Sequence, residues 1–146
     1  MRALLLGTVA ALALASGAAA AEIEVKMLDK GTEGMMVFEP ALVKLEPGDS
    51  VKFVATSKGH NVESIKGMIP AEAVPFAGKV NQDTTVTFDK PGVYGVKCPP
   101  HYGMGMVALI VVGPPTNQSD AMAVTHPGRA KQVFATLFGK AQLAAK

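Results

Sequence analysis

The chain has 146 residues with 49% hydrophobic and 18% charged composition, which is that of one globular domain and excludes a disordered or multi-domain protein. Cys98 is the only cysteine, so an internal disulfide and any paired-cysteine zinc or iron–sulfur module are excluded. A formal net charge of +2, 5% aromatic residues and no tryptophan leave no footprint for nucleic-acid binding or base stacking.

Met1-Arg2 is a short positive start, Ala3 to Ala15 an almost unbroken apolar run, and Ser16 to Ala20 a set of small residues. Together these are the three parts of a secretory signal. The apolar run is shorter than the roughly 20 residues a spanning helix needs. Residues 1–20 are therefore expected to be a removed signal peptide and residues 21–146 a single exported domain, with no membrane contact after cleavage.

In the remaining chain, Ile23, Val25 and Met27 alternate with Glu22, Glu24 and Lys26, the period-2 pattern of a half-buried strand. Ala41 to Leu45 is a second strand, ended by the turn cluster Glu46-Pro47-Gly48-Asp49. Val51, Phe53 and Ala55 mark a third. Thr84 to Phe88 and Val93 to Cys98 flank Lys90-Pro91-Gly92 and are expected to form a hairpin. Val107 to Val112 is continuously apolar, as in a strand buried on both faces. With weaker strands near Met36–Phe38 and Asn61–Glu63, the pattern predicts an all-β sandwich over residues 21–113.

After Pro115 the pattern changes. Asp120 to Ala123 reads as a short helix, and Arg129 to Lys146 as a longer one with Val133, Phe134, Leu137, Phe138 and Ala141 on one stripe. Pro127 suits the first helical turn. The helical segment is therefore expected over 117–146, capping the sandwich.

The chemistry lies in Val96-Lys97-Cys98-Pro99-Pro100-His101-Tyr102-Gly103-Met104-Gly105-Met106, between two predicted strands. One short loop there carries a thiol, an imidazole and two thioethers. Prolines and glycines give it the stiffness and unusual backbone angles that would let the side chains converge. His60, in Lys58-Gly59-His60-Asn61, can supply a fourth ligand from elsewhere. Two histidines, a cysteine thiolate and a weak axial methionine are the ligand set of an electron-transfer copper site. A lone cysteine is otherwise an inert buried hydrophobe, and a loop histidine is otherwise bonded to backbone. Zinc would also accept cysteine and two histidines, although the affinity order favours copper.

The chain resembles the pseudoazurins, within the blue-copper cupredoxin family. The resemblance is carried by Ile23-Glu24-Val25, Met36-Val37-Phe38-Glu39-Pro40-Ala41, Pro47-Gly48-Asp49, Gly59-His60-Asn61-Val62-Glu63-Ser64 and the Cys98-to-Met106 loop. It extends to the C-terminal helical pair. It implies an eight-stranded Greek-key β-sandwich with two C-terminal helices, and one type 1 copper ion cycling between Cu(I) and Cu(II). By the same resemblance the ligands are His60, Cys98, His101 and Met106, with Met104 packing nearby. Asn61 resembles the residue whose backbone N–H donates to the cysteine sulfur and whose side chain ties the two ligand loops together. Many relatives carry a hydroxyl residue after the cysteine where this chain has Pro99, which puts that tie in doubt.

His60 is expected to donate its free ring N–H to backbone, and His126 to be exposed and unrelated to copper. Met36 and Pro100 are expected in an apolar ring around His101, with Lys30, Lys58, Lys66 and Lys97 in a basic rim. The implied function is that of a soluble, monomeric periplasmic electron carrier, not an enzyme. Nitrite reductase, cytochromes or similar redox proteins, as in denitrification, would be its transient partners. Three histidines are too few for a catalytic copper centre with an open position. A copper-trafficking protein is the alternative.

Overall fold

Six consecutive buried residues, Val107–Val112, form the strand on which the rest of the molecule is organised. Successive side chains of a strand point to opposite faces, and here each face has its own cover. Ala108, Ile110 and Val112 enter a core between two sheets, whereas Val107, Leu109 and Val111 meet a C-terminal helix on the outside. That double burial is why the run lacks polar alternation.

The computed structural model describes residues 17–143. The strands are β1 (Glu22–Gly31), β2 (Gly34–Glu39), β3 (Leu42–Leu45), β4 (Asp49–Val54), β5 (Glu63–Ser64), β6 (Thr84–Phe88), β7 (Gly92–Lys97) and β8 (Val107–Val112). They form two four-stranded sheets with orders β2-β1-β4-β6 and β3-β8-β7-β5. The parallel pairings β1–β4 and β3–β8 stand among antiparallel neighbours, and the connections cross between sheets as in a Greek key. The predicted eight-stranded sandwich is present. Most of the signal-peptide segment, residues 1–16, lies outside the described residues.

Glu46-Pro47-Gly48-Asp49 turns as its sequence predicts. Gly48 takes φ +98 and the Asp49 N–H donates to the Glu46 carbonyl at 3.1 Å. The Asp49 carboxylate accepts the N–H groups of Ala21 and Glu46 at 2.7 and 2.9 Å. These two bonds, that of Ala21 first, hold its pKa below the usual aspartate value.

The expected hairpin between Thr84–Phe88 and Val93–Cys98 does not form, because β6 and β7 belong to different sheets. β6 pairs with β4, and β7 pairs with β8 from Gly92↔Val112 to Lys97↔Val107. The other edge of β7 is already occupied. Asn117 brackets Val93 with both amide atoms, Gly95 bonds the backbone of Met68 and Ile65, and Lys97 pairs with Glu63 of β5. The chain instead crosses the end of the sandwich at Asp89–Pro91, where the Tyr94 hydroxyl donates back to the Lys90 carbonyl at 2.8 Å, a corner used by other β-sandwiches.

The helices are α1 (Gln118–Ala123) and α2 (Ala130–Lys140). Phe134, Leu137 and Phe138 bury the predicted stripe of α2 against β8, together with Ala130 and Ala141. The helix is shorter than the expected 129–146. Gln142 turns left-handed at φ +60, and the N–H groups of Gln142 and Leu143 return to the carbonyls of Gly139 and Phe138, which is a Schellman stop. Residues 144–146 lie outside the described residues. Pro127 precedes the helix instead of opening it, separated from it by Gly128 at φ +51 and by Arg129, the residue that flanks the first turn. A Cβ on Gly128 would collide with the Gly103 carbonyl oxygen, so only glycine lets this segment approach the loop that follows β7.

Candidate metal centre

At one end of the sandwich the loop after β7 begins at Cys98, whose extended backbone leads into a short 3₁₀ segment, Pro99–Met104. Pro99 opens that segment, where its missing N–H costs no hydrogen bond. The backbone kinks at His101, and Gly105 ends the segment left-handed at φ +91. Met106 then closes the loop. Its carbonyl accepts the Cys98 N–H at 2.9 Å, and its N–H donates to the His101 carbonyl at 3.2 Å. Cys98 and Met106 are both fully buried in the inter-sheet core.

His60 arrives from the connection between β4 and β5 and is completely buried. Its Nδ1 lies 3.2 Å from His101 Nδ1 and 3.8 Å from Cys98 Sγ, and His101 Nδ1 lies 3.5 Å from the same sulfur. Metal bonds of about 2.0 Å to imidazole and 2.3 Å to thiolate place neighbouring donors about 3.3–3.7 Å apart around a trigonal or tetrahedral ion. The donor set therefore fits a copper ion in both chemistry and spacing.

His60 Nε2 lies 2.8 Å from Asp29 Oδ1. A carboxylate only accepts, so Nε2 carries the proton and Nδ1 turns a lone pair toward Cys98 and His101. The partner is thus a carboxylate and not the expected backbone carbonyl. β1 runs past Met27 to Gly31, which carries Asp29 up to the histidine. Neither that extension nor the contact has a signal in the alternation of Glu22 to Met27.

The Asn61 N–H points at Cys98 Sγ from 3.5 Å, as expected. Burial is the main cause that pushes the Cys98 thiol up, partly opposed by the backbone N–H groups of Asn61 and His101. Keeping a thiolate there calls for a cation beside it. The Asn61 side-chain oxygen is buried without a partner among the described residues, in keeping with a loop that offers Pro99 and no hydroxyl beside the cysteine.

The two thioethers of the loop separate clearly. Met106 is fully buried, whereas Met104 is 51% exposed and does not pack as expected. His101 and Met36 are half-buried and Pro100 is exposed, and Met35 adds a second exposed thioether that shares a groove with Met104. Lys30, Lys58 and Lys66 are exposed. Lys97 instead lies over the Tyr102 ring at 5.2 Å and 4.0 Å from Glu63. His126 is half-buried and not the exposed residue expected. Its Nδ1 meets the Tyr102 hydroxyl at 2.6 Å and its ring lies 4.3 Å from that of Phe134.

Residues 25–113 match the model of the family described as copper binding proteins, plastocyanin/azurin family. A pseudoazurin of Methylorubrum extorquens is 52% identical over 144 residues, 97% of each chain. One of Paracoccus pantotrophus is 51% identical over 124 residues, covering 84% of this chain and 86% of the relative. The crystal structure of pseudoazurin from Methylobacterium extorquens AM1 superposes with a TM-score of 0.80 at 53% identity, covering 83% of this chain and 99% of that one.

Proposed function

This chain belongs to the pseudoazurins of the plastocyanin/azurin family of copper-binding proteins, and on that premise we propose that His60, Cys98, His101 and Met106 hold its copper for single-electron transfer between periplasmic proteins. Members of this family are copper electron carriers and not enzymes. The observation that carries the ligand assignment is the convergence of His60 Nδ1, His101 Nδ1 and Cys98 Sγ within 3.2–3.8 Å of one another. Met106, buried and bonded through its backbone to both Cys98 and His101, supports the fourth position better than exposed Met104.

Bound there, copper supplies one-electron chemistry between Cu(I) and Cu(II). The protein contributes a rigid, dry donor set. His60 and Cys98 are sealed in the core, and the half-exposed ring of His101 is the side from which a partner is reached. Exposed Met104, Met35 and Pro100 offer apolar surface on the same loop and the adjacent hairpin. Such a patch suits a small, transient redox contact, and Lys30, Lys58 and Lys66 would steer acidic partners toward it. The reading extends to a monomer formed by residues 21–146 after loss of a signal peptide at 1–20, serving nitrite reductase, a cytochrome or a similar terminal partner. No helix among the described residues is long and apolar enough to cross a membrane.

Adding Cu(II) to the purified chain should give an intense visible thiolate-to-copper charge-transfer band that ascorbate bleaches. Cys98→Ala should show none. A parent protein without the band, or a variant that keeps it, overturns the assignment. Rapid surrender of copper to a chelator would favour the trafficking alternative over a carrier.

A further inference from the structure

The Asp29 carboxylate lies 2.8 Å from Nε2 of His60, a ring with no exposure, while its own side chain is 56% exposed. Charge and hydrogen bond thus reach a sealed histidine from a residue on the solvent boundary. No Lys or Arg ion pair neutralises Asp29 among the described residues.

The strand holds this carboxylate in place. The β1–β2 ladder pairs Leu28 with Val37 and Lys30 with Met35 but omits the step between them, where Met36 turns left-handed at φ +53. On the opposite edge of β1, toward β4, the Asp29 N–H donates to Ser57 Oγ at 3.1 Å, and the Ser57 N–H donates to the Met27 carbonyl at 3.0 Å. Through Ser57, the connection that carries His60 is therefore tied to the strand at Met27 and at Asp29 itself.

We infer that Asp29 is a positioning residue of the metal centre, fixing the His60 tautomer and, through its unneutralised charge, favouring the higher oxidation state of the ion at His60 Nδ1. The inference rests on the ligand assignment proposed above. A carboxylate behind a ligand imidazole raises its basicity. Negative charge one ring-width from the donors also stabilises Cu(II) more than Cu(I), because the ion's charge is larger by one. Asp29 thereby lowers the reduction potential relative to a neutral acceptor. At that separation, with water on one side of the carboxylate, the bias is worth about a threefold to tenfold change in the Cu(I)/Cu(II) equilibrium.

The test is redox titration of the copper-loaded full chain beside Asp29→Asn and Asp29→Ala, with the charge-transfer band recorded for each. Asp29→Asn keeps an acceptor and removes the charge, so it should retain the band and shift the equilibrium toward Cu(I) by about threefold to tenfold. For one electron this is a rise of about 28–59 mV. In proton NMR of the Cu(I)-loaded chain the His60 Nε2–H should exchange slowly in the parent and in Asp29→Asn, and quickly in Asp29→Ala. An Asp29→Asn potential equal to or below the parent's overturns the inference while the parent's band leaves the copper assignment standing. A parent without the band overturns both.

Discussion

Tyr102 and His126 form a pair that ties the ligand loop to the segment before α2. The neutral imidazole accepts from the hydroxyl at 2.6 Å and stacks near Phe134. Burial lowers the pKa of His126 below the usual histidine value. The unfolded chain therefore binds this proton at a higher pH than the folded one. The stabilising contribution is complete above the ordinary histidine value of about 6.5 and is lost as pH falls through the lower, folded value. Urea midpoints should accordingly fall between pH 7.5 and pH 5, and His126→Phe should fall less than the parent. Equal slopes would remove His126 from the acid sensitivity. Sequence pattern could not assign this role, since an isolated histidine before a proline carries no periodicity, and the same is true of Asp29. Of the candidate site, Cys98, His101 and Met106 stood out because their side-chain chemistry is rare and they share one short loop, whereas His60, distant in sequence, could be read only as a complement to that loop.

Among the elements, β8 and α2 depend on each other most directly. Phe134 is 2% exposed and lies in the outer core with Leu109 and Val107 of β8. Phe134→Ala should destabilise the protein by about 3–5 kcal/mol in denaturant unfolding, and a loss under 1 kcal/mol would mean that the helix is a loosely attached appendage. The double burial of β8 was readable from its unbroken apolar run, and the helical stripe from its spacing. The β6–β7 pairing was not. A turn cluster between two strand-like runs carries the same local signal whether the chain folds back within a sheet or crosses to the next. What decides is which edge is free, and Asn117, Met68 and Glu63, all distant in sequence, fill the edge of β7.

For the molecule as a whole, the proposed donors come from two separated parts of the chain, and the C-terminal segment, which supplies none of them, props the loop from outside. The Arg129 N–H donates to the Gly103 carbonyl at 2.9 Å, and Gly105 lies so near Arg129 and Val133 that a Cβ there would approach them to 3.3 and 3.0 Å. Anything that binds only the native arrangement stabilises all the contacts completing it. Metal loading should therefore guard a peptide bond that lies well away from the donors in sequence. Thr125 and Pro127 to Arg129 are exposed, which leaves the bond after Arg129 open to trypsin whenever this segment lifts from the loop. Cleavage there should be slower with copper bound than without it, and equal rates would separate the fate of the tail from that of the metal. Resistance to a protease at Arg129 thus becomes a colourless readout of occupancy at Cys98.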